Sequence, residues 1–293
     1  MDVGVALPTM APGYGPRTTV DWARGIDAGP FSSVSAGERI TFTNPELIAT
    51  LAAAAAVTER VRVIANVLVL PLHPAPVVAK QAATLDQLSG GRFTLGLGVG
   101  GRGHDYRAAG SPQDHRHARL DEGVAELRRL WAGEPPFDGA DPVEPAPTQE
   151  GGPPLWSGSL GPKGMARAAR WADGVTGFSI GGRAREMATT NRMADEAWAE
   201  AGRPAPRKVN GCFYVMGGDD PEATLRAFAH RYLAIFGEEM AAALAADVWV
   251  TSPDALRQVL DDAEGAGCDE LILVPGTVDL ACLEATAEVV AAR

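Results

Sequence analysis

The stretch that decides the fold is residues 61–100, which read VRVIANVLVLPLHPAPVVAKQAATLDQLSGGRFTLGLGVG. Its two apolar runs, Val61–Leu70 and Phe93–Gly98, have the nearly continuous Val, Ile and Leu content of strands that are buried on both faces. The segment between them, Pro76–Leu88, is predicted to be a helix. A strand, a helix and a second strand in this order indicate a parallel sheet that is covered by helices.

The same alternation extends over the whole chain. Strands are predicted at Val3–Leu7, Ser32–Ala36, Val61–Leu70, Phe93–Gly98, Pro154–Ser157, Gly174–Phe178, Lys208–Met216 and Glu270–Val274. Helices between them include Pro45–Thr58, Pro76–Leu88, Ala118–Trp131, Lys163–Ala172 and Pro253–Ala266. Asn44 and Ser252 are the predicted N-caps of two of these helices, each followed by a proline. Eight strands spread in this way favour an α/β fold, the (β/α)₈ TIM barrel with loop insertions.

One stretch interrupts the alternation. Residues 133–154 contain seven prolines and no helical period. Because the strand and helix alternation resumes directly afterwards, this stretch is interpreted as a long insertion and not as a linker between domains. We therefore expect one domain, residues 1–293.

Composition limits the classes of partner. The formal net charge is −11, which argues against nucleic acid or an anionic membrane as the main partner and leaves a small-molecule substrate. The N-terminus has no basic start followed by a long apolar run, so a cytoplasmic protein is expected. Cys212, Cys268 and Cys282 have no metal-ligand spacing and are expected to be buried thiols, and no metal site is predicted.

Residues 61–100 resemble the core of the bacterial-luciferase-like family of flavin- and F420-dependent oxidoreductases. Supporting segments are the opening residues 3–9, the helix Arg119–Trp131 with the Gly-Glu-Pro that follows it, and Pro154–Val175. The resemblance covers residues 1–180 well and the remainder only in its alternation of strands and helices. It implies an oxidoreductase that holds coenzyme F420 or FMN at the C-terminal mouth of the barrel. Such an enzyme transfers hydride to a small organic substrate or monooxygenates it.

The resemblance also implies which residues hold the cofactor. Late in the third strand, a non-prolyl cis peptide, by position Asn66–Val67, bulges against the ring in similar enzymes; an ordinary buried strand is the alternative. The loop after the fifth strand is where the family holds the cofactor phosphate, and its glycines let N–H groups approach an anion; a structural turn is the alternative. The predicted cofactor-binding residues are Asn66, Val67, Leu68, Gly158, Ser159, Leu160, Gly161, Thr176 and Gly177.

A glycine motif after the fourth strand has two interpretations. Residues 98–103, Gly-Val-Gly-Gly-Arg-Gly, match the dinucleotide-binding pattern. A dinucleotide turn needs its helix to begin at the glycines, whereas a clear helix is predicted only from about Asp114. The motif is therefore interpreted as a flexible loop that borders the substrate and offers Arg102, His104 and Tyr106.

Four side chains are candidates for catalysis. Glu38 and Arg39 end the second strand, although a surface salt bridge between them is an alternative. His73 follows the third strand and is equally suited to packing. His104 lies among glycines, which favours a mobile and exposed proton donor. Similar deazaflavin enzymes have a histidine at the position of Arg39, and some relatives have a catalytic glutamate at the position of Gly101.

These departures keep two other functions open. One is a barrel that binds flavin without catalysing a reaction, and the other is a barrel enzyme that acts on a phosphorylated substrate. No lysine is well placed for Schiff-base chemistry in the second case. The family habit predicts a homodimer, and a separate flavin or F420 reductase is a further expected partner.

Overall fold

Eight parallel strands close into one barrel in a computed structural model that describes all residues 1–293. Each strand pairs with the next along the chain, and the eighth pairs with the first. The predicted TIM barrel is confirmed, with every strand bound within two residues of the prediction. The strands are β1 (Asp2–Ala6), β2 (Ser33–Ala36), β3 (Arg62–Val69), β4 (Phe93–Gly98), β5 (Leu155–Ser157), β6 (Gly174–Thr176), β7 (Arg207–Tyr214) and β8 (Glu270–Pro275).

Helices cover the outside of the barrel. They are α1 (Thr18–Ala28), α2 (Leu47–Ala56), α3 (Ala75–Leu88), α4 (Gly103–Ala108), α5 (Arg116–Trp131), α6 (Pro162–Ala168), α7 (Ala184–Glu200), α8 (Pro221–Leu233), α9 (Glu238–Ala245), α10 (Pro253–Gly265) and α11 (Leu280–Ala291). Short 3₁₀ turns lie at Leu70–Leu72 and Ala234–Phe236. No helix has the length and apolar character needed to cross a membrane.

Helix starts and ends test the local predictions. The Ser252 hydroxyl accepts a hydrogen bond from the Ala255 N–H at 3.2 Å, so the predicted cap of α10 is confirmed. The predicted Asn44 cap is wrong, because the Glu46 carboxylate accepts from the Ile48 and Ala49 N–H groups at 3.0 and 2.6 Å. Glutamate is an uncommon N-cap, so sequence preference favoured asparagine. The helix predicted to reach Ala172 ends at Ala168.

Two segments were predicted to lack regular structure, the insertion before β5 and the loop after β4, and only the first does. Residues 132–154 contain no helix or strand, as expected for the insertion. Gln149 anchors this insertion to the barrel by donating to the Asp86 carboxylate at 2.6 Å and to the Phe93 carbonyl at 2.8 Å. The loop predicted between β4 and α5 is in part the short helix α4, so the prediction of an entirely flexible loop is wrong.

The barrel interior changes from polar to apolar along its axis. Its apolar layer consists of Ala6, Ile64, Trp156, Val209 and Ile272. At the amino ends of the strands, the fully buried Glu270 carboxylate accepts from the Ser33 hydroxyl at 2.5 Å and from Arg62 and Arg207 at 2.6 and 3.1 Å. Asp2 also contacts both arginines. This charged layer closes the end of the barrel opposite the mouth.

The three cysteines are free and buried, as predicted. Burial raises the pKa of Cys212 to about 12 and that of Cys282 to about 11. A thiol must lose its proton to act as a nucleophile, so both groups are inert at neutral pH.

Candidate active site at the barrel mouth

Val67 forms an apolar platform at the carboxyl end of β3. Its methyl groups fill the space left by three glycines of β4 and the loop after β5. A Cβ atom added at Gly96, Gly98 or Gly158 would lie 3.3, 2.8 or 3.1 Å from a Val67 methyl carbon. Val67 remains partly exposed. The mouth therefore presents a branched apolar side chain with no bulky neighbour on the β4 and β5 side.

The peptide bond before Val67 is cis, as the family resemblance implies. The register between β3 and β4 shifts between Ala65 and Leu68, so the bulge lies at this bond. The Asn66 side-chain oxygen accepts from the Thr176 hydroxyl of β6 at 2.8 Å. Leu68 is 1% exposed and packs in the core, so its side chain faces away from the mouth.

Glu38 and His73 form a pair behind this bulge. One Glu38 carboxylate oxygen lies 2.8 Å from His73 Nε2, and the other accepts from the Val69 N–H at 2.7 Å. The Glu38 N–H donates to the Val67 carbonyl at 3.2 Å. Because Glu38 thus holds β3 on both sides of Leu68, its contacts are those of a positioning residue. The alternative of a surface Glu38–Arg39 salt bridge is wrong, since the Glu38 side chain is 4% exposed and pairs with His73.

The contact with Glu38 changes the pKa of the His73 imidazole. Burial lowers the pKa of His73, but the hydrogen bond and negative charge of Glu38 outweigh it, so the pKa is raised above 6.5. A histidine whose folded pKa is raised stabilises the fold fully below the unfolded pKa, near 6.5. That contribution is lost as the pH rises through the higher folded pKa.

Glu38→Gln is expected to move the pKa of His73 below 6.5, because burial remains while the compensating charge is removed. Titration of the imidazole resonances by NMR measures this shift, and His117 serves as an internal control that does not contact Glu38. An unchanged His73 pKa in the variant would show that Glu38 is not the cause.

Arg39 points toward helix α8. Its guanidinium carbon lies 3.7 Å from the centroid of the Tyr232 ring and 4.6 Å from that of Phe42. It donates to the Tyr232 carbonyl at 3.0 Å. Burial and the nearby charge of Arg102 lower the pKa of Arg39. The sequence does not predict this contact, because Arg39 and Tyr232 are 193 positions apart.

His104 lies apart from the other three catalytic candidates. It is an exposed residue in the first turn of α4, and its imidazole has no hydrogen-bond partner in the protein. The structure thus brings Glu38 and His73 together, places Arg39 beside Arg102 and leaves His104 without a partner at the start of α4.

The loop after β5 offers unused donors. Five backbone N–H groups between β5 and the first turn of α6 donate to no acceptor in the protein: those of Ser159, Leu160, Gly161, Lys163 and Gly164. The Ser159 hydroxyl lies 2.8 Å from that of Ser157 and 3.2 Å from the Gly164 carbonyl. Leu160 is 72% exposed. Consecutive free N–H groups of this kind suit an anion.

Thr176 and Gly177 of the β6 end were predicted to bind the cofactor, but their polar groups are bonded within the protein. The Thr176 hydroxyl is used by Asn66, and the Gly177 N–H donates to the Val209 carbonyl at 2.8 Å. A Cβ at Gly177 would lie 2.6 Å from an Asn210 side-chain oxygen, so the residue allows close packing of β6 on β7. These two residues therefore support the mouth and present no free donor to it.

Comparison with known proteins identifies the family. The model of the luciferase-like monooxygenase family matches residues 1–293, and the chain belongs to this family. A relative is the 4-hydroxyprotoasukamycin monooxygenase of Streptomyces nodosus subsp. asukaensis, 33% identical over 181 residues, which are 57% of this chain and 48% of the relative. Another is the F420-dependent hydroxymycolic acid dehydrogenase of Mycobacterium tuberculosis, 32% identical over 193 residues, 64% of this chain and 48% of the relative. The chain spans about half the length of these curated relatives.

The same architecture occurs among solved structures. An F420-dependent secondary alcohol dehydrogenase in complex with an F420-acetone adduct superimposes with a TM-score of 0.83 at 19% identity, covering 98% of this chain and 97% of that one. At this identity the likeness shows the shared fold. The predicted family and barrel are both confirmed.

Proposed function

We propose that this protein is an oxidoreductase that binds a reduced F420 or FMN at the barrel mouth and acts on a small organic substrate. The observation that carries the proposal is the group of free N–H donors at residues 159–164, beside the Val67 platform. An F420-dependent relative supports hydride transfer, and a relative named as a monooxygenase supports the oxygen-dependent alternative.

The residues at the mouth fit such a cofactor. The Val67 methyls would support one face of the flat ring, and the glycines around them leave no side chain in its way. The free N–H groups of the loop after β5 would hold its phosphate. Helix α6 has only seven residues, so its dipole adds little and the N–H groups provide most of the attraction. The ring itself would supply the electrons, and the protein supplies position and exclusion of water.

The chain's other predicted site residues take distinct roles in this proposal. Glu38 and His73 hold the β3 bulge through the Val69 N–H. The Asn66–Thr176 hydrogen bond fixes the opposite side of the same bulge. His104 is exposed and has no hydrogen-bond partner, so it is the proposed proton donor to the substrate. An unchanged turnover rate in the His104→Gln variant would contradict this role.

Electrons must reach the cofactor before each turnover. The proposal therefore includes a separate flavin or F420 reductase as a partner. It also includes a homodimer as the assembly, which is the habit of the family. Size-exclusion chromatography with light scattering tests the assembly, and a monomer at micromolar concentration would contradict that part.

The cofactor is tested by titration of the purified protein with F420 and with FMN, each oxidised and reduced, followed by fluorescence. Riboflavin and phosphate-free deazariboflavin serve as controls for the phosphate contact. We expect one phosphorylated cofactor to bind at least about tenfold more tightly than its phosphate-free form, a difference of roughly 1.4 kcal/mol. Binding of neither cofactor would contradict the proposal and favour the barrel that acts on a phosphorylated substrate.

Ser159→Asp tests the loop itself. The added carboxylate would repel the cofactor phosphate, and the dissociation constant should rise by about tenfold or more. Ser159→Ala is the matched control, because it removes the hydroxyl without adding charge and should change affinity much less. Equal affinities in the two variants would show that the phosphate is held elsewhere. A turnover assay with reduced cofactor then distinguishes an enzyme from a barrel that only binds flavin.

A further inference from the structure

Three arginines from distant parts of the chain surround the ring of Phe42 at the mouth. Their guanidinium carbons lie 4.6 Å (Arg39), 5.6 Å (Arg102) and 5.4 Å (Arg231) from the ring centroid. Arg39 and Phe42 follow β2, Arg102 follows β4, and Arg231 lies in the last turn of α8. We refer to Arg39, Arg102 and Arg231 as the arginine cluster.

The cluster is on the mouth side of the barrel, next to the bulge of β3. Arg39 lies two residues after Gly37, where an added Cβ would come within 2.8 Å of the Asn66 carbonyl oxygen. Arg102 follows the β4 segment in which Gly98 contacts Val67. The cluster therefore adjoins the Val67 platform through both β2 and β4.

Positive charge in the cluster is poorly compensated. Neither Arg39 nor Arg231 forms a salt bridge, and Arg102 approaches one carboxylate, with its Nε 3.4 Å from Asp105 Oδ2. The other Asp105 oxygen accepts from the Thr41 N–H at 2.8 Å and the Thr41 hydroxyl at 2.5 Å. Three cations thus share one carboxylate that is already engaged, in a chain whose formal net charge is −11.

Two donors of the cluster are buried without a hydrogen-bond acceptor: Arg39 Nη1 and Arg102 Nε. A buried donor that is left unsatisfied costs about 1–3 kcal/mol, and more when it is charged. Stacking on the Tyr232 ring fixes the plane of the Arg39 guanidinium, and its Nη2 donates to the Tyr232 carbonyl at 3.0 Å, so Nη1 is the donor left without an acceptor. Arg39 can therefore offer Nη1 to an anion, and Arg102 Nε supplies the second charged donor.

We propose that the arginine cluster binds a carboxylate of the substrate, so that the natural substrate is a small organic acid. This inference rests on the proposed function, because only an enzyme has a substrate. The anion-binding site itself does not depend on that function. The carboxylate would accept from Arg39 Nη1 and Arg102 Nε and would supply the charge that Asp105 leaves uncompensated. A neutral analogue of the same shape would leave both donors unsatisfied and bind more weakly.

Ligand-observed NMR titration with benzoate and with benzamide, which has the same shape without the charge, tests the site in the full chain without cofactor. We expect benzoate to bind at least about tenfold more tightly than benzamide. Arg39→Gln should remove that preference. Arg39→Lys should restore it only in part, because an ammonium keeps the charge but lacks the planar fork that holds Nη2 on the Tyr232 carbonyl while Nη1 faces the anion. Arg226→Gln, on the exposed face of α8, is the matched control and should leave the preference unchanged.

Equal affinity for benzoate and benzamide in the wild type, or an unchanged preference in Arg39→Gln, would overturn the inference. Arg102→Gln provides a second variant if Arg39→Gln does not fold, and it should show the same loss. A fall in F420 or FMN affinity in these variants, with benzoate binding intact, would assign the cluster to an anion of the cofactor and also overturn it. Benzoate preference without any cofactor binding would instead retain the anion site and reject the proposed function.

Discussion

Glu270→Gln is expected to lower the free energy of unfolding by about 3 kcal/mol, because it removes the one fully buried carboxylate at the amino end of the barrel. Its Oε2 accepts from Arg62 at 2.6 Å and from Arg207 at 3.1 Å. Its Oε1 accepts from Ser32 at 2.7 Å and from Ser33 at 2.5 Å. Without its charge, two guanidiniums that are about one-third exposed keep only Asp2 as a partner. Breaking such a buried pair typically costs about 3–5 kcal/mol, and the glutamine retains part of the hydrogen bonding.

Urea unfolding followed by circular dichroism measures this loss. Asp2→Asn is the matched control, because its side chain is 49% exposed and contacts the same two arginines. Exposed pairs contribute about 0–1 kcal/mol, so the control should change stability far less. Similar losses in the two variants would mean that total charge, and not the burial of Glu270, stabilises this end of the barrel.

Much of the barrel was predictable because each strand is specified locally. β4 was predicted with the bounds Phe93–Gly98 that the structure shows, since its apolar run is bounded by a glycine turn and a glycine loop. The Asn66–Val67 cis peptide was also predicted, but only through the resemblance of residues 61–100 to a family. Local patterns were less reliable at helix ends, where Glu46 took the capping role expected of Asn44.

The contacts within the site were not predictable from local patterns. Thr176 and Asn66 are 110 positions apart, and Arg39 and Tyr232 are 193 apart. Chain closure into a barrel brings these segments together, and one sequence contains no periodicity that pairs them. Glu38 and Arg39 are adjacent in the sequence, yet their side chains go to different partners, His73 and Tyr232.

The role of a glycine at the mouth also depends on a contact that the neighbouring sequence does not reveal. In the sequence, Gly98 belongs to a motif that matches a dinucleotide-binding turn. In the structure, it is a strand residue whose missing side chain makes room for Val67, 31 positions earlier. The requirement for glycine at this position is thus a packing requirement, and it can be tested by a compensating substitution.

Gly98→Ala is expected to cost about 1–3 kcal/mol of stability and to weaken cofactor binding, because its Cβ would lie 2.8 Å from the Val67 Cγ2 methyl. Val67 would have to move toward the mouth, where the proposed ring lies. The double variant Gly98→Ala, Val67→Ala removes that methyl and leaves the Val67 Cβ at 3.8 Å, an ordinary contact. It should therefore be no less stable than Val67→Ala alone, which corresponds to a coupling as large as the cost of Gly98→Ala itself, about 1–3 kcal/mol.

Urea unfolding and cofactor titration of the two single variants and the double variant measure this coupling. Gly101→Ala is the control, because a Cβ at that position meets no atom within 4 Å. If the losses of the two single variants simply add, then Gly98 is needed for a reason other than the space that Val67 occupies. If stability recovers in the double variant but cofactor affinity does not, the Val67 methyls themselves support the ring. Recovery of both would instead mean that the ring needs only an unobstructed surface, because alanine at position 67 would serve as well as valine.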